Sequence, residues 1–189
     1  MGNKFNCIYI DIPWGDGIYG KRSNPNTKFG GGAEHHYPTM SKQEILDFKL
    51  EIDKVCDDNA IMIMWATGPS LEFAFEVMKH YGFTYKTFGP IWEKVDKNGE
   101  PRILPSYYFG SNIEVTLIGI KGKNNGLFKP SKSLVGQVVR TPLREHSRKP
   151  TEVYEKIESA YPNLNKCEFF SRTQREDWTM FGNQVGKFD

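Results

Sequence analysis

Seven short apolar, β-prone runs punctuate the chain, and helical patterns stand between several of them. The runs are Phe5 to Ile10, Ala60 to Ala66, Tyr85 to Trp92, Ile113 to Ile120, Val135 to Val139, Cys167 to Phe170 and Trp178 to Phe181. The stretch "SKQE" at Ser41 places a hydroxyl cap three residues before Glu44, and Ile45, Phe48 and Ile52 follow at helical spacing. A second helix is expected from Pro69 or Ser70 to Tyr81, stopped by Gly82 in the left-handed conformation. Pro150 opens a third, with Val153, Tyr154 and Ile157 on one stripe. Strands alternating with helices exclude a sandwich or barrel and predict an α/β fold, a mostly parallel sheet with helices on its faces. At 189 residues with no internal repeat, the chain reads as one domain, residues 1–189.

Ligands of such sheets bind at the carboxyl ends of the strands. The first run ends there in "CIYIDIPWGDG", where an acid, a proline and a tryptophan follow a buried strand. Three connections are long enough to be binding elements: Gly15 to Met40, Val95 to Asn112, and Lys121 to Leu134.

Composition narrows the partners. The net charge of +2 is small, but Lys121 to Pro150 holds eight Lys or Arg against the single acid Glu145, a stretch able to face a polyanion or simply a solvated surface. Aromatic residues make up 14% of the chain, enough to fill a core and leave rings for stacking. Cys7, Cys56 and Cys167 fit neither a disulfide framework nor a zinc spacing, and His35 and His36 have no third ligand at a suitable distance, so no metal is expected. The start "MGNKFNCIYI" has no signal-peptide apolar region and no run approaches the length of a membrane span, which makes a cytoplasmic, reducing location the expectation.

The tetrapeptide Asp11-Ile12-Pro13-Trp14 carries a specific chemistry. Alkylating an exocyclic adenine amine requires drawing its lone pair out of the ring by accepting hydrogen bonds from both N–H groups while the base is held rigidly. Asp11 supplies a carboxylate acceptor. The carbonyl of Ile12 supplies a second, because Pro13 restrains the residue before it to an extended conformation. Trp14 is expected to offer an indole face, with stacking worth about 1–3 kcal/mol per base. A base must leave its stack to reach such a site.

The pattern resembles the D/N/S-P-P-Y/F/W motif of amino-group methyltransferases. Further segments, "HYPTMSKQEI", "IMIMWATG", "GPIWEK", "EVTLIGIKG", "EHSRKPTEVYEKIE", "CEFFSR" and "WTMFGNQ", resemble in order the adenine-N6 methyltransferase family named for the seventy-kilodalton subunit of the messenger-RNA adenosine methyltransferase. The resemblance covers about residues 5 to 185. It implies a Rossmann-like fold dependent on S-adenosylmethionine, circularly permuted so that the catalytic strand comes first and the donor-binding strand near the end, with an antiparallel hairpin.

Carried over, the resemblance makes Asp11, Ile12, Pro13 and Trp14 catalytic, with Asp11 also beside the donor. It assigns Arg172, Thr173, Gln174 and Arg175 to the donor's amino acid and ribose, Asn183 and Gln184 to the ribose and its neighbours, and Lys149 of "HSRKP" to the same site. Glu168 is expected on a ribose hydroxyl or in an ion pair. His36, Tyr37, Tyr107 and Tyr108 are expected near the substrate, with Phe109 beside them; these rings either meet nucleic acid or fold their loop onto the body. Trp65 and Trp92 are expected in the core. The chain departs from the family at Ile12, which replaces the usual first proline, at Ile113, where some members have a lysine for the donor carboxylate, and after Arg172, where it is shorter. The implied activity is transfer of a methyl group to adenine N6 in nucleic acid, DNA before RNA, leaving S-adenosylhomocysteine. A catalytically silent partner subunit on the same fold, or methylation of a small molecule or protein amide, is the alternative. Retention of Asp11 and Trp14 favours the enzyme. A homodimer or a partner subunit is compatible with either.

Overall fold

The computed structural model describes residues 4–15, 18, 38–106, 108–131, 135–145 and 148–189. Strands β1 (Phe5–Ile10), β2 (Cys56–Ala66), β3 (Thr84–Val95), β4 (Ile113–Lys121), β5 (Val138–Pro142), β6 (Lys166–Phe169) and β7 (Trp178–Phe181) form one sheet in the order β5-β3-β4-β2-β1-β6-β7. Only β4 runs against its neighbours. The carboxyl ends of the other six strands and the amino end of β4 therefore share one edge. The expected Rossmann-like α/β sheet with its antiparallel hairpin, β3–β4, is what the chain forms.

The central strands carry apolar runs, Cys7 to Ile10 in β1 and Ala60 to Ala66 in β2, because both faces are covered there. In β1, Ile8 and Ile10 point into a core under α1 (Lys42–Asp47), α2 (Lys49–Val55) and α3 (Leu71–His80), whereas Cys7 and Tyr9 point into a second core under α4 (Thr151–Ala160). In β2 the same alternation sends Met62 and Met64 one way and Ile61, Ile63 and Trp65 the other. Trp65 and Trp92 are core residues, as expected.

Local signals set most boundaries. Ser41 and Glu44 form a complete capping box at α1. Gly82, at φ +88°, ends the segment after α3. The helix expected to run through Phe48 divides there, because Phe48 is the joint between α1 and α2 and packs its ring on Phe169 and Phe170. Strand β5 lies three residues later than expected. Its register against β3 places Arg140 opposite Glu93, and Arg140 Nε donates to that carboxylate at 2.8 Å. Among the described residues no helix is long and apolar enough to cross a membrane.

Candidate active site

Asp11 follows the last residue of β1 on the edge shared by the strand carboxyl ends. Pro13 sits in a tight reversal: the Trp14 N–H donates to the Ile12 carbonyl at 2.8 Å, and the Met40 N–H donates to the Pro13 carbonyl at 2.9 Å. Gly15 is required beside it, since a Cβ there would lie 2.5 Å from the Met40 carbonyl oxygen. The Ile12 carbonyl thus uses one lone pair internally and keeps a second for another donor.

Asp11 stands between the two faces of the sheet. On one side it borders a cavity of about 520 Å³ whose apolar walls include Phe48, Phe169, Phe170 and Phe181. Pro13, Arg172, Asn183 and Gln184 line the same cavity. On the other side its carboxylate meets the Lys149 ammonium at 2.9 Å. Lys149 also contacts Glu114 at 3.1 Å, and Glu114 meets Lys94 at 2.7 Å. The four groups form an alternating chain, Asp11–Lys149–Glu114–Lys94, drawn from β1, the segment before α4, β4 and β3. Lys149 lies over the Trp65 ring at 5.2 Å and Lys94 over the Trp92 ring at 5.3 Å, so both cations rest on indole faces.

The titration behaviour follows from this arrangement. Burial pushes the Asp11 carboxyl above its ordinary value, opposed by Lys149. Burial acts on Glu114 in the same sense but is overcome by Lys149 and Lys94, which hold it down to about 2. Lys149 is held above its ordinary value because its two carboxylates outweigh the burial of its charge.

Behind Asp11 lies a second, neutral-leaning carboxyl. Glu168 is 3% exposed, and burial pushes it up to about 7, although the Tyr154 hydroxyl donates to it at 2.9 Å and the Ser171 hydroxyl at 3.0 Å. Each of its oxygens accepts from one of these hydroxyls and keeps a further lone pair. The chain leaving β6 then turns at Phe170, whose φ of +63° costs an L-residue about 1–2 kcal/mol and presents Arg172 to the cavity.

The structure brings together Asp11, Pro13, Arg172, Asn183 and Gln184 around the cavity, and Asp11, Lys149, Glu168, Arg172 and Thr173 around a small cleft beside it. It places three expected residues differently. Arg175 is spent on Glu158, its Nη2 lying 2.7 Å from that carboxylate, and Gln174 lies outside the lining, its N–H donating to Asp189. Trp14 does not present an open indole face: it is 4% exposed, packs edge-on against Phe73, and belongs to the core under α1–α3. Among the described residues its buried indole N–H has no acceptor. The physical cause is the backbone pairing of residues 13–15 with Met40, which turns the ring inward. His36, Tyr37 and Tyr107 lie outside the described residues, and Tyr108 is 87% exposed on the β3–β4 connection. Sequence reasoning missed Glu114 and Lys94. The available signal was a carboxylate opening a strand and a lysine closing its hairpin partner, both within segments already quoted.

Comparison with known proteins covers the same residues. A model of the MT-A70 family matches residues 5–184. Over 193 residues the chain is 29% identical to the type II methyltransferase M.MunI of a Mycoplasma species, covering 96% of this chain and 78% of that protein. It is 27% identical over 188 residues to the human N(6)-adenosine-methyltransferase catalytic subunit METTL3, and 28% identical over the same length to an N(6)-adenosine-methyltransferase MT-A70-like protein of Drosophila melanogaster. The chain spans only 28% and 27% of those two proteins.

Proposed function

This chain belongs to the MT-A70 family, and from its site we propose that it is an S-adenosylmethionine-dependent methyltransferase acting on the N6 amine of adenine in nucleic acid, with DNA as the favoured polymer. The observation that carries the reading is Asp11, pinned by Lys149 at the rim of a 520 Å³ cavity that also receives Arg172, Asn183 and Gln184.

The donor set fits the cofactor. A guanidinium suits a carboxylate, two side-chain amides suit ribose hydroxyls, and four phenylalanines suit the uncharged body of the molecule. Arg172, Asn183 and Gln184 would hold it, with Asp11 at the reacting end. Bound there, S-adenosylmethionine supplies an electrophilic methyl group on sulfur.

The protein's own groups do the rest. Asp11 and the remaining lone pair of the Ile12 carbonyl accept the two N–H bonds of the adenine amine, localising the nitrogen lone pair toward the cavity. Pro13 fixes the distance between these two acceptors by its restrained backbone. Lys149 keeps Asp11 ionised against burial, and the amine proton released on substitution has the Asp11 carboxylate as its acceptor. What supports DNA is the 29% identity to a type II methyltransferase over 96% of this chain.

Incubation with labelled S-adenosylmethionine and either DNA or RNA, followed by nucleoside analysis, tests the reading. N6-methyladenine is expected in the polymer and is expected to vanish with Asp11→Ala. Failure to bind the donor in calorimetry, or absence of the product from both polymers, would sink it.

A further inference from the structure

The connection between β3 and β4 is a built element. Strand β3 reverses at Asp96, whose carboxylate accepts from the Asn98 and Glu100 N–H groups, with Gly99 at φ +84° closing the turn. The returning segment pairs with β3 through Arg102 N–H to the Lys94 carbonyl at 2.8 Å. A second reversal is closed by two bonds between Leu104 and Ser111, 2.9 and 2.8 Å long. At its tip Phe109 is 90% exposed and Tyr108 87%, and Ile103, 65% exposed, lies against Gly110, where a Cβ would collide with it at 2.1 Å. Ile103 and the Phe109 ring are therefore exposed on a hydrogen-bonded base.

Two further observations choose the partner. First, the arm leaves the sheet at the edge that carries Asp11, and the residues at its root, Lys94 and Glu114, belong to the ion-pair chain that ends on Asp11. Second, basic side chains able to meet phosphates stand among acidic ones around it: Lys97 and Arg102 are exposed on the arm beside Glu100, Arg140 pairs with Glu93 and donates to the Gly99 carbonyl at 3.1 Å, and exposed Arg144 follows β5 on the same edge. An exposed aromatic tip on the edge that carries Asp11 matches stacked bases beside the target.

We propose that this arm is a wedge for duplex DNA, with Phe109 entering the base stack next to the target adenine so that the adenine is extruded toward Asp11. The inference rests on the adenine-methyltransferase reading and adds to it the strandedness of the substrate and the residue that opens it. Extrusion is costly in a paired duplex, where stacking and pairing must be broken, and cheap in a single strand. The wedge thus matters only where there is a stack to open.

The test uses the full chain with labelled S-adenosylmethionine and three substrates of mixed sequence: plasmid-length DNA lacking adenine methylation, the same DNA heat-denatured, and an RNA transcript of the same region. The wild type is expected to label the duplex. Phe109→Ala is expected to lower kcat/KM on the duplex at least tenfold while leaving the denatured DNA within about twofold, and Phe109→Leu to restore most of the loss. Equal loss on duplex and denatured DNA, no loss on either, or wild-type preference for single strands or RNA overturns the wedge and leaves the enzyme reading intact. A Phe109→Ala protein that falls from dimer to monomer in sedimentation, with equal loss on both DNA forms, assigns the tip to a protein interface and overturns it as well. No label in any polymer overturns the enzyme reading itself, and the wedge with it.

Discussion

Strand β4 carries a charge at each end, and the two ends behave as opposites. Glu114, at the shared carboxyl edge, sits between Lys149 and Lys94 with side chains 16%, 10% and 8% exposed. Lys121, at the far edge, meets Asp53 at 3.5 Å, a pair left 26% and 35% exposed and shared with Lys49. Both are ion-paired clusters bridging separate elements. Burial makes the difference: at the far edge water screens the charges and the pairing contributes little, whereas at the near edge each charge depends on its neighbours to remain ionised. Counting salt bridges would rank the two ends alike, and only one of them reaches Asp11.

The largest effect is expected at the end of the buried chain. Asp11→Ala should lower kcat/KM for methyl transfer by at least about a thousandfold, since it removes an acceptor from the reacting nitrogen; label incorporation against wild type reads this directly. Lys149→Met should cost about 3–5 kcal/mol of stability in urea unfolding, because it strands Asp11 as an uncompensated buried charge and leaves Glu114 with Lys94 alone. Glu168→Gln should act in the opposite sense. The folded protein holds Glu168 near pH 7 against an ordinary 4.5, so wild-type stability is highest below pH 4.5 on this account and declines as pH rises to about 7, by at most about 3 kcal/mol. Removing the acid should flatten that decline, measurable as urea midpoints between pH 4.5 and 8. Glu114 runs the other way, its contribution complete above pH 4.5 and lost as pH falls toward 2. The smallest effect belongs to the far edge: Lys121→Met should change stability by less than about 1 kcal/mol and leave methyl transfer unchanged. A large loss there would erase the distinction between the two ends.

Local signals in the sequence were enough for much of this. The capping box at Ser41, the stop at Gly82, the stripe of Val153, Tyr154 and Ile157, and the apolar runs of β1 and β7 each depend on residues a few positions apart. Asp11 was legible for the same reason, because strand, acid and proline are consecutive. What escaped was set by distant partners. Lys94, Glu114 and Lys149 come together only when β3, β4 and the start of α4 are in place. Arg175 looked like a donor ligand until Glu158, seventeen residues earlier, claimed it across α4. Trp14 looked like a platform because its motif neighbours are functional, yet its ring follows the pairing of residues 13–15 with Met40. Side-chain direction after a strand end is decided by what runs alongside, and no periodicity encodes that.

The pairing of Pro13 and Trp14 with Met40, tightened by Gly15, has an evolutionary consequence. It clamps together the point where the polypeptide departs from β1 and the point where it returns to enter α1. Closing a loop of doubled length costs only about 0.6 kcal/mol more once its ends are fixed. Descendants of such a scaffold can therefore lengthen, shorten or exchange that insert while Asp11 and Pro13 stay in register.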